Sequence, residues 1–349
     1  HTANRRQRQM CIRDRPYAQW HYPFENKEMI DDNIAFPADY IAEGVDQTRG
    51  WFYTLHAISS MVFDSISYKN VISNGLVLDK NGQKMSKRLG NAVDPFKTIE
   101  EFGPDATRWY MISNANPWDN LKFDIEGIEE SKRKFFGTLY NVYSFFILYA
   151  NIDNFNYQEK EIENSEKSEL DRWIISELNS LIFEVDKYYS EYEPTKAARS
   201  ISKFVQLYLS NWYVRLSRRR FWKGSYEKDK ISAYQTLYTC LIEIAKISSP
   251  IAPFYMDRLY CDLTSNSRFN SFKSVHLEDF PISKNKLIDT ELQKKIRKAQ
   301  TICSLVLSLR KKEKIKVRQP LSKVMIPYIS KNEKLQFEIY CEFLKKIEE

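Results

Sequence analysis

Residues 75–91 read GLVLDKNGQKMSKRLGN, and the interpretation of the whole front of the chain depends on this stretch. A short apolar run is followed by Asp79–Gly82, a turn composition, so Lys84 and Lys87 are predicted to lie on a loop just after a strand. Lysine is a mobile point charge that can follow phosphate oxygens, and paired ammonium groups can stabilise the charge on a leaving pyrophosphate. The stretch therefore indicates a triphosphate-binding loop, with a solvated lysine turn as the alternative.

A second polar segment lies upstream, where residues 40–52 read YIAEGVDQTRGWF. The order is a strand end, a glycine turn, carboxylate and amide groups, and then an aromatic helix start. Ligands bind at the carboxyl ends of parallel strands in open α/β sheets. There Asp46 can accept hydrogen bonds from ribose hydroxyls, and Gln47 can both donate and accept. The alternative is a polar cap on a buried helix.

Glycine usage divides the chain. All nine glycines except Gly224 lie at or before Gly137, which predicts a turn-rich, mixed α/β front. Apolar residues in the rear recur at three- and four-residue steps, which predicts a succession of amphipathic helices and hence a bundle. The apolar face predicted for the second of these helices consists of Ala197, Ala198, Ile201, Phe204, Val205, Tyr208, Leu209, Trp212, Tyr213 and Leu216.

Composition narrows the class of protein. The 349 residues are 43% hydrophobic, enough for two or three globular domains, and no apolar run approaches the roughly 20 residues of a membrane helix. The net charge of +7 is compatible with a polyanionic partner, although surplus surface lysine explains it equally well. Five scattered cysteines predict no zinc site and favour a reducing compartment, so we expect a cytoplasmic protein.

Two motifs resemble those of a known family. Lys84-Met85-Ser86-Lys87 resembles the KMSKS signature of class I aminoacyl-tRNA synthetases; Arg88 stands in place of the last serine, and both lysines are kept. The segment 40–52 is similar to the adenylate-binding segment of isoleucyl-tRNA synthetases, whereas the valyl and leucyl enzymes differ at positions 46–49. Further stretches resemble the same family in the same order, namely residues 16–24, 105–110, 171–174, 210–215 and 316–321.

The resemblance implies the second half of a Rossmann-like α/β catalytic fold, followed by an all-α anticodon-binding bundle. The expected boundaries are a non-native tail at 1–15, the catalytic half at 16–113, a connecting region at 114–127, the anticodon-binding helices at 128–280 and a helical, basic extension at 281–349. The reaction it implies is activation of isoleucine to isoleucyl-adenylate by ATP with Mg²⁺, and then transfer to tRNA(Ile).

The resemblance also implies particular binding residues. Isoleucyl-adenylate and ATP would be bound by Glu43, Gly44, Asp46, Gln47, Lys84, Met85, Ser86 and Lys87, with Lys84 and Lys87 as the catalytic pair. No zinc ligand and no membrane contact are expected.

A cluster of arginines in the rear indicates RNA binding. Arg215, Arg218, Arg219 and Arg220 are followed directly by Phe221 and Trp222. Arginine can bind phosphate, and an exposed aromatic ring can stack on a splayed base. The alternative is a cationic helix C-terminus favoured by the helix dipole, with Trp222 in the core.

Two parts of the resembled family are missing from these residues. The HxGH motif that helps hold the ATP phosphates is absent, and so is the domain that hydrolyses mischarged tRNA, so we expect the chain alone to be inactive. Other classes stay open at this point: a tRNA-binding module without catalysis, a valyl- or leucyl-type ligase, and a purely structural helical protein.

Overall fold

The computed structural model describes residues 20–86, 90–223, 225–265 and 273–321, together with Lys323 and Met325. The chain divides into two compact units. The front unit reaches residue 130 and also includes residues 193–195, and the rear unit holds 131–192 and the residues from 196 onward. Within the described ranges, no helix is both long enough and apolar enough to cross a membrane.

The front unit contains a strand–helix–strand element. Strand β1 (Ala38–Gly44) leads through a 3₁₀ turn (Val45–Arg49) into a helix at Trp51–Phe63, and the chain returns as β2 (Tyr68–Asn74). Parallel strands need such a crossover connection, and β1 and β2 are parallel, with Ala38 opposite Tyr68 and Gly44 opposite Asn74. The helix covers this pair because Phe52 and Leu55 pack with Ile41 in a small apolar core. A short helix, Glu28–Asp31, precedes β1; we number it α1 and the crossover helix α2.

A second parallel pair lies further along the front unit, where β3 (Val77–Leu78) pairs with β4 (Leu121–Lys122). Helices α3 (Pro95–Phe102) and α4 (Pro104–Asn114) lie between them in sequence, and α5 (Ile125–Ser131) follows. Each of α3 and α4 begins with proline, whose missing N–H costs nothing at a first helical position. The entry to β3 requires glycine because a Cβ at Gly75 would lie 2.2 Å from the backbone oxygen of Asp119.

The rear unit consists of helices joined by loops, and no strand is present among its described residues. A π-helical turn (Lys132–Phe136) continues into α6 (Gly137–Asp153), and the later helices are α7 (Glu169–Ser190), α8 (Pro194–Lys203), α9 (Arg215–Trp222), α10 (Lys228–Ser248), α11 (Pro253–Thr264) and α12 (Thr290–Lys312). Helix α7 is capped by the Ser168 hydroxyl, and α12 by the Asp289 carboxylate, each of which accepts a first-turn amide. The largest fully buried side chains include Trp173, Tyr213, Tyr234, Tyr260 and Phe221. A mixed front and a helical rear were predicted, and both are confirmed.

The second rear helix departs from its predicted face. Helices α8 and α9 are joined by a π-helical segment, Phe204–Val214, in one uninterrupted run. Trp212 and Leu216 were predicted to be buried with Tyr213, but both are half-exposed, while Val214, Ser217 and Phe221 are buried instead. The physical reason is that π-helical turns hold more residues than α-helical turns, so the apolar face that begins at Ala197 changes its spacing past residue 204.

Candidate functional site

The carboxyl end of β1 carries the first predicted cluster. Gln47 is buried, and its side chain makes two contacts: Nε2 donates to Oδ2 of Asp46 over 2.8 Å, and Oε1 accepts from the backbone N–H of Trp51 over 3.1 Å. One amide therefore holds the Asp46 carboxylate and the first turn of α2 together. The alternative interpretation, a polar helix cap, applies to the oxygen of Gln47, whereas Asp46 itself stays exposed.

Gly44 lies between two carboxylates. Oε1 of Glu43 accepts from the backbone N–H of Gly44 over 3.1 Å, and a Cβ at Gly44 would lie 2.7 Å from Oδ1 of Asp46. A larger residue at position 44 would therefore displace the Asp46 carboxylate. The two exposed acids, Glu43 and Asp46, can accept hydrogen bonds from ligand hydroxyl or ammonium groups at the strand end.

The lysine loop is the second cluster, and it begins where the sequence predicted, directly after a strand. Lys84 is exposed and forms an antiparallel bridge with Leu78 of β3, and Met85 and Ser86 are half-buried. Lys87 and Arg88 lie outside the described residues. Lys84 and Ser86 are thus placed together, on a strand pair different from the one that carries Glu43, Gly44, Asp46 and Gln47.

Two side chains close this loop, and neither was predicted to do so. Oδ1 of Asp79 accepts from the backbone N–H groups of Asn81 and Gln83, over 2.9 and 2.8 Å, and Oδ2 accepts from Nδ2 of Asn91 over 2.9 Å. Oδ1 of Asn91 accepts from the Ser86 amide over 2.9 Å, and its Nδ2 also contacts the Lys84 carbonyl at 3.3 Å. We call this pair the Asp79–Asn91 clasp.

The clasp favours the ionised form of its carboxylate. The Asn91 hydrogen bond, and after it the Gln83 amide, hold the pKa of Asp79 below its ordinary value. One signal in the sequence could have indicated the contacts of Asp79 with the backbone, because an aspartate at the start of a turn commonly accepts a hydrogen bond from the backbone two residues on. The hydrogen bond between Asn91 and Asp79 joins two side chains twelve positions apart, and no local sequence pattern specifies it.

The arginine cluster of α9 has one outward face. Arg215, Arg218, Arg219 and Trp222 are exposed, and their spacing of three, four and seven residues places them on one side of the helix. Trp222 is 55% exposed, so its alternative placement in the core is wrong. That core position belongs to Phe221, whose ring centroid lies 5.1 Å from Phe145 and 5.0 Å from Tyr234. We call the four exposed residues the α9 face.

Arg220 must be removed from the predicted RNA-binding set. Its guanidinium nitrogens donate to both carboxylate oxygens of the buried Asp171, over 2.8 and 2.7 Å, and to the side chain and carbonyl of Asp229. A planar guanidinium matches carboxylates in this paired way, and the donors so used are already taken by acceptors of the protein itself. Burial opposes charge on both groups. Even so, the Arg220 contact holds the pKa of Asp171 below its ordinary value, and Asp171 in turn raises the pKa of Arg220.

The charged side chains of the continuous helical run that contains the α9 face are all positive. From Pro194 to Trp222 the sequence holds seven lysines and arginines and no aspartate or glutamate. A run of basic residues without local acids creates the positive potential that attracts a polyanion.

Among the residues that the structure describes, no group of three or more His, Cys, Asp or Glu side chains could hold a metal ion.

Comparison with known proteins agrees with this division of the chain. Residues 14–124 match the family model described as tRNA synthetases class I (I, L, M and V), and residues 171–326 match the anticodon-binding domain of tRNA ligase. The chain is 64% identical over 323 residues to an isoleucine--tRNA ligase of Bacteroides fragilis, and 61% identical over 330 residues to one of Cytophaga hutchinsonii. These alignments cover 93% and 95% of the chain but only 28% and 30% of those relatives.

Solved structures show a similar fold at low identity. Methionyl-tRNA synthetase of Mycobacterium tuberculosis, in complex with methionyl-adenylate, matches 75% of the chain with a TM-score of 0.59 at 16% identity, over 54% of its own length. The LeuRS of Agrobacterium radiobacter K84, in a ternary complex with tRNA and LeuAMS, matches 72% of the chain with a TM-score of 0.56 at 20% identity, over 29% of its own length. The mixed front with its strand-end cluster and lysine loop matches the class I synthetase model, the helical rear with its arginine face matches the anticodon-binding model, and the chain belongs to the class I aminoacyl-tRNA synthetase family.

Proposed function

We propose that the chain serves in an isoleucine--tRNA ligase, which activates isoleucine with ATP and transfers it to tRNA(Ile). The observation that carries this proposal is the identity of 60% or more to isoleucine--tRNA ligases over nine-tenths of the chain, a range that contains both front clusters and the α9 face. The chain spans less than a third of those relatives, so the complete reaction is assigned to a longer protein.

The front unit is proposed as part of the catalytic domain. The parallel β1–α2–β2 element is the repeating unit of Rossmann-like folds, and it supports a Rossmann-like half at 16–113. The linker at 114–127, the anticodon-binding domain at 128–280 and the extension at 281–349 are proposed with it. Localisation in the cytoplasm stays a prediction.

Isoleucyl-adenylate is proposed to bind at the end of β1. Glu43 and Asp46 offer exposed carboxylate oxygens to ligand hydroxyl or ammonium groups, and Gly44 leaves space between them. Gln47 is buried and acts by holding the Asp46 carboxylate in place. The strand end therefore supplies acceptors whose orientation is set before the ligand arrives, which lowers the ordering cost of binding.

The triphosphate of ATP is proposed to bind at the lysine loop, with Mg²⁺ arriving as part of the nucleotide substrate. Lys84 and Lys87 would neutralise the charge that develops on pyrophosphate, and Met85 and Ser86 form the backbone between them. The Asp79–Asn91 clasp supports this role because it fixes the Lys84 carbonyl and the Ser86 amide on either side of Met85.

The α9 face is proposed to bind tRNA(Ile). Arg215, Arg218 and Arg219 would contact phosphates, and the exposed indole of Trp222 would stack on an unpaired base. Phosphate contacts make affinity fall with salt, and each contact contributes a slope of roughly 0.7–0.9 in log K against log salt.

The catalytic part is tested in a chimera. The corresponding segment of the Bacteroides fragilis ligase is replaced by residues 20–321 of this chain, and isoleucine-dependent exchange between ATP and pyrophosphate is measured. We expect exchange in the chimera and a loss of about 100-fold or more with Lys87→Ala, because one preorganised charge contact contributes that much to a rate. The KM for isoleucine should change little. Lys80→Ala, a lysine before the motif, is the matched control and should exchange normally.

The RNA-binding part is tested on the 349-residue chain itself. We expect tighter binding of tRNA(Ile) than of tRNA(Val) or tRNA(Leu), and a lower affinity with a shallower salt slope for Arg218→Ala with Arg219→Ala. Arg258→Ala removes an exposed arginine on another helix and should leave binding unchanged. Unchanged exchange in the Lys87→Ala chimera would overturn the ATP assignment, and equal affinity for all three tRNAs would overturn the isoleucine assignment.

A further inference from the structure

The buried carboxylate of Asp171 joins four elements of the rear unit. It lies in the first turn of α7 with no exposed surface, and it accepts hydrogen bonds from Arg220 of α9, Tyr213 of the π-helical segment and Ser232 of α10. The distances are 2.7–2.9 Å. A buried charge tolerates removal of a partner poorly, so these contacts specify one arrangement of the four elements.

Arg220 also reaches outward from this carboxylate. Its Nε and Nη2 contact Oδ2 and Oδ1 of Asp229 at 2.9 and 2.8 Å, and Nη2 contacts the Asp229 carbonyl at 2.9 Å. Asp171 of α7 and Asp229 of α10 therefore both bind the one guanidinium of Arg220. We call these three residues the Arg220 clamp. Because a guanidinium is planar and presents its donors in a fixed fork, this clamp fixes direction as well as distance.

The exposed side of the helix at 194–222 changes before α9 begins. Arg215 and Arg219 follow Ala197 and Ile201 by 18 residues each, which is about five turns of an α-helix. In an unbroken α-helix they would lie on the same side as those two fully buried residues, yet both are exposed. The π-helical segment therefore re-phases the helix, turning Tyr213, Arg220 and Phe221 inward and the α9 face outward.

We propose that Asp171 is a positioning residue for RNA binding: acting through Arg220, it locks the re-phased α9 so that Arg215, Arg218, Arg219 and Trp222 face the tRNA together. This inference rests on the proposed function of the α9 face. Asp171 itself has no exposed surface and touches no RNA. Its effect on affinity comes entirely from the orientation of residues that lie within five positions of its partner Arg220 along α9.

The test uses the 349-residue chain and tRNA(Ile), with affinity measured at several salt concentrations below the melting temperature of every variant. Asp171→Asn removes the charge, and Arg220→Lys keeps the charge but loses the fork. Asp171→Asn combined with Arg220→Met removes both charges, so no unpaired buried ion remains and stability should recover. Glu278→Gln is the matched control, since it breaks another largely buried ion pair, which Glu278 makes with Lys246 at the end of α10 away from Asp229.

We expect the three clamp variants to bind tRNA about tenfold or more weakly, with a salt slope shallower by about one phosphate contact. Amide hydrogen exchange in residues 215–222 should be faster in each of them. The Glu278→Gln control should lose stability without losing affinity or slope. If Asp171→Asn does not fold, Arg220→Lys and the double variant decide the result.

Two outcomes separate the proposals. If the unmodified chain does not bind tRNA, the proposed function of the α9 face is wrong. If it binds, and the double variant recovers both stability and full affinity, then Asp171 is merely structural and the positioning role is wrong.

Discussion

Asn91 donates from Nδ2 to Oδ2 of Asp79 over 2.9 Å, and the carbonyl of the same side-chain amide accepts from the backbone of Ser86. The two residues are twelve positions apart, and Asn91 also contacts Lys84 and Ser86 of the lysine loop. The side-chain amide of Asn91 thus links Asp79 to the lysine loop, which the sequence alone presents as a run of charges and turn residues.

Asn91→Ala should open the lysine loop locally. The Ser86 amide would lose its acceptor, and since one such hydrogen bond contributes about 1 kcal/mol, its hydrogen exchange should accelerate roughly five- to tenfold. The matched control is Asn120→Ala, because Oδ1 of Asn120 accepts from the Leu76 amide over 2.8 Å in the same unit. That control should accelerate exchange at Leu76 and leave Ser86 protected. Equal protection of Ser86 in Asn91→Ala and the unmodified chain would contradict the clasp.

Gln47→Ala should remove the two hydrogen bonds that the buried side-chain amide makes with Asp46 and Trp51. The first turn of α2 loses the acceptor of the Trp51 amide, and Asp46 loses its donor, so we expect the front unit to be destabilised by about 1–2 kcal/mol. Urea denaturation measures the change. Thr48→Ala removes an exposed hydroxyl that bonds the Val45 carbonyl in the same turn, and it should cost much less. A larger loss in the threonine variant would place the support of this turn elsewhere.

Two glycines should respond to alanine in opposite directions. At Gly75 the new Cβ would lie 2.2 Å from the Asp119 backbone oxygen, and no side-chain rotamer change can relieve a clash between these two atoms. We therefore expect the free energy of unfolding to fall by about 3 kcal/mol. At Gly137 the first neighbour lies at an ordinary 3.5 Å and the backbone is helical. Alanine there should stabilise the rear unit by roughly 0.5–1 kcal/mol. Calorimetric melting of both variants measures the two signs.

Asp171 should make the rear unit acid-sensitive. Burial raises the pKa of this carboxyl, but Arg220, Tyr213 and Ser232 outweigh burial and hold the pKa below its ordinary value. The folded state therefore binds fewer protons than the unfolded state. The stabilisation is complete above about pH 4, where the unfolded carboxyl ionises, and is lost as pH falls through the folded pKa. Asp171→Asn should flatten the fall in unfolding free energy as the pH drops below about 4; an unchanged slope would assign the acid sensitivity to other carboxyls.

Glu177 should show the opposite sign. Burial raises the pKa of this carboxyl despite the hydrogen bond from Trp173, so the folded state binds protons more tightly than the unfolded state. Its contribution is favourable below about pH 4 and is lost as pH rises through the folded pKa. Glu177→Gln keeps an oxygen for Trp173 and should therefore stabilise the chain at pH 7 more than at pH 4. Melting temperatures at the two pH values test the difference, and a destabilised glutamine variant at pH 7 would show that the ionised form is needed.

The sequence predicted those features that depend on local pattern. A strand before Lys84, a strand end before Asp46 and a helix that begins at Pro194 all follow from residues within a few positions of each other. The predicted glycine turn is not formed by Gly44, which ends β1 in an extended conformation and is followed by the 3₁₀ turn. The Asp79–Asn91 clasp and the internal role of Arg220 were not predicted, because each depends on partners brought together by the fold. An arginine beside three others looks like part of a basic surface until the position of Asp171 is known.

The apolar face of the helix at 194–222 was predicted correctly only in its first half. Three- and four-residue steps select Ile201 and Val205 correctly, and then select Trp212 and Leu216, which are half-exposed. A π-helical segment has no composition of its own, and its formation depends on what Tyr213 and Phe221 pack against. The strand pairs were also beyond prediction, since β3 and β4 are two residues long and more than forty positions apart.

The β1–β2 pair also governs how this chain behaves when it is handled alone. Within the described residues these strands pair only with each other, so each presents an outer row of backbone N–H and C=O groups. Such rows are templates for strand addition, and Tyr40 and Val71 add exposed apolar side chains to them. Concentrated preparations of the chain should therefore self-associate through these edges, and a proline placed on an outer edge of β1 should improve their shelf life.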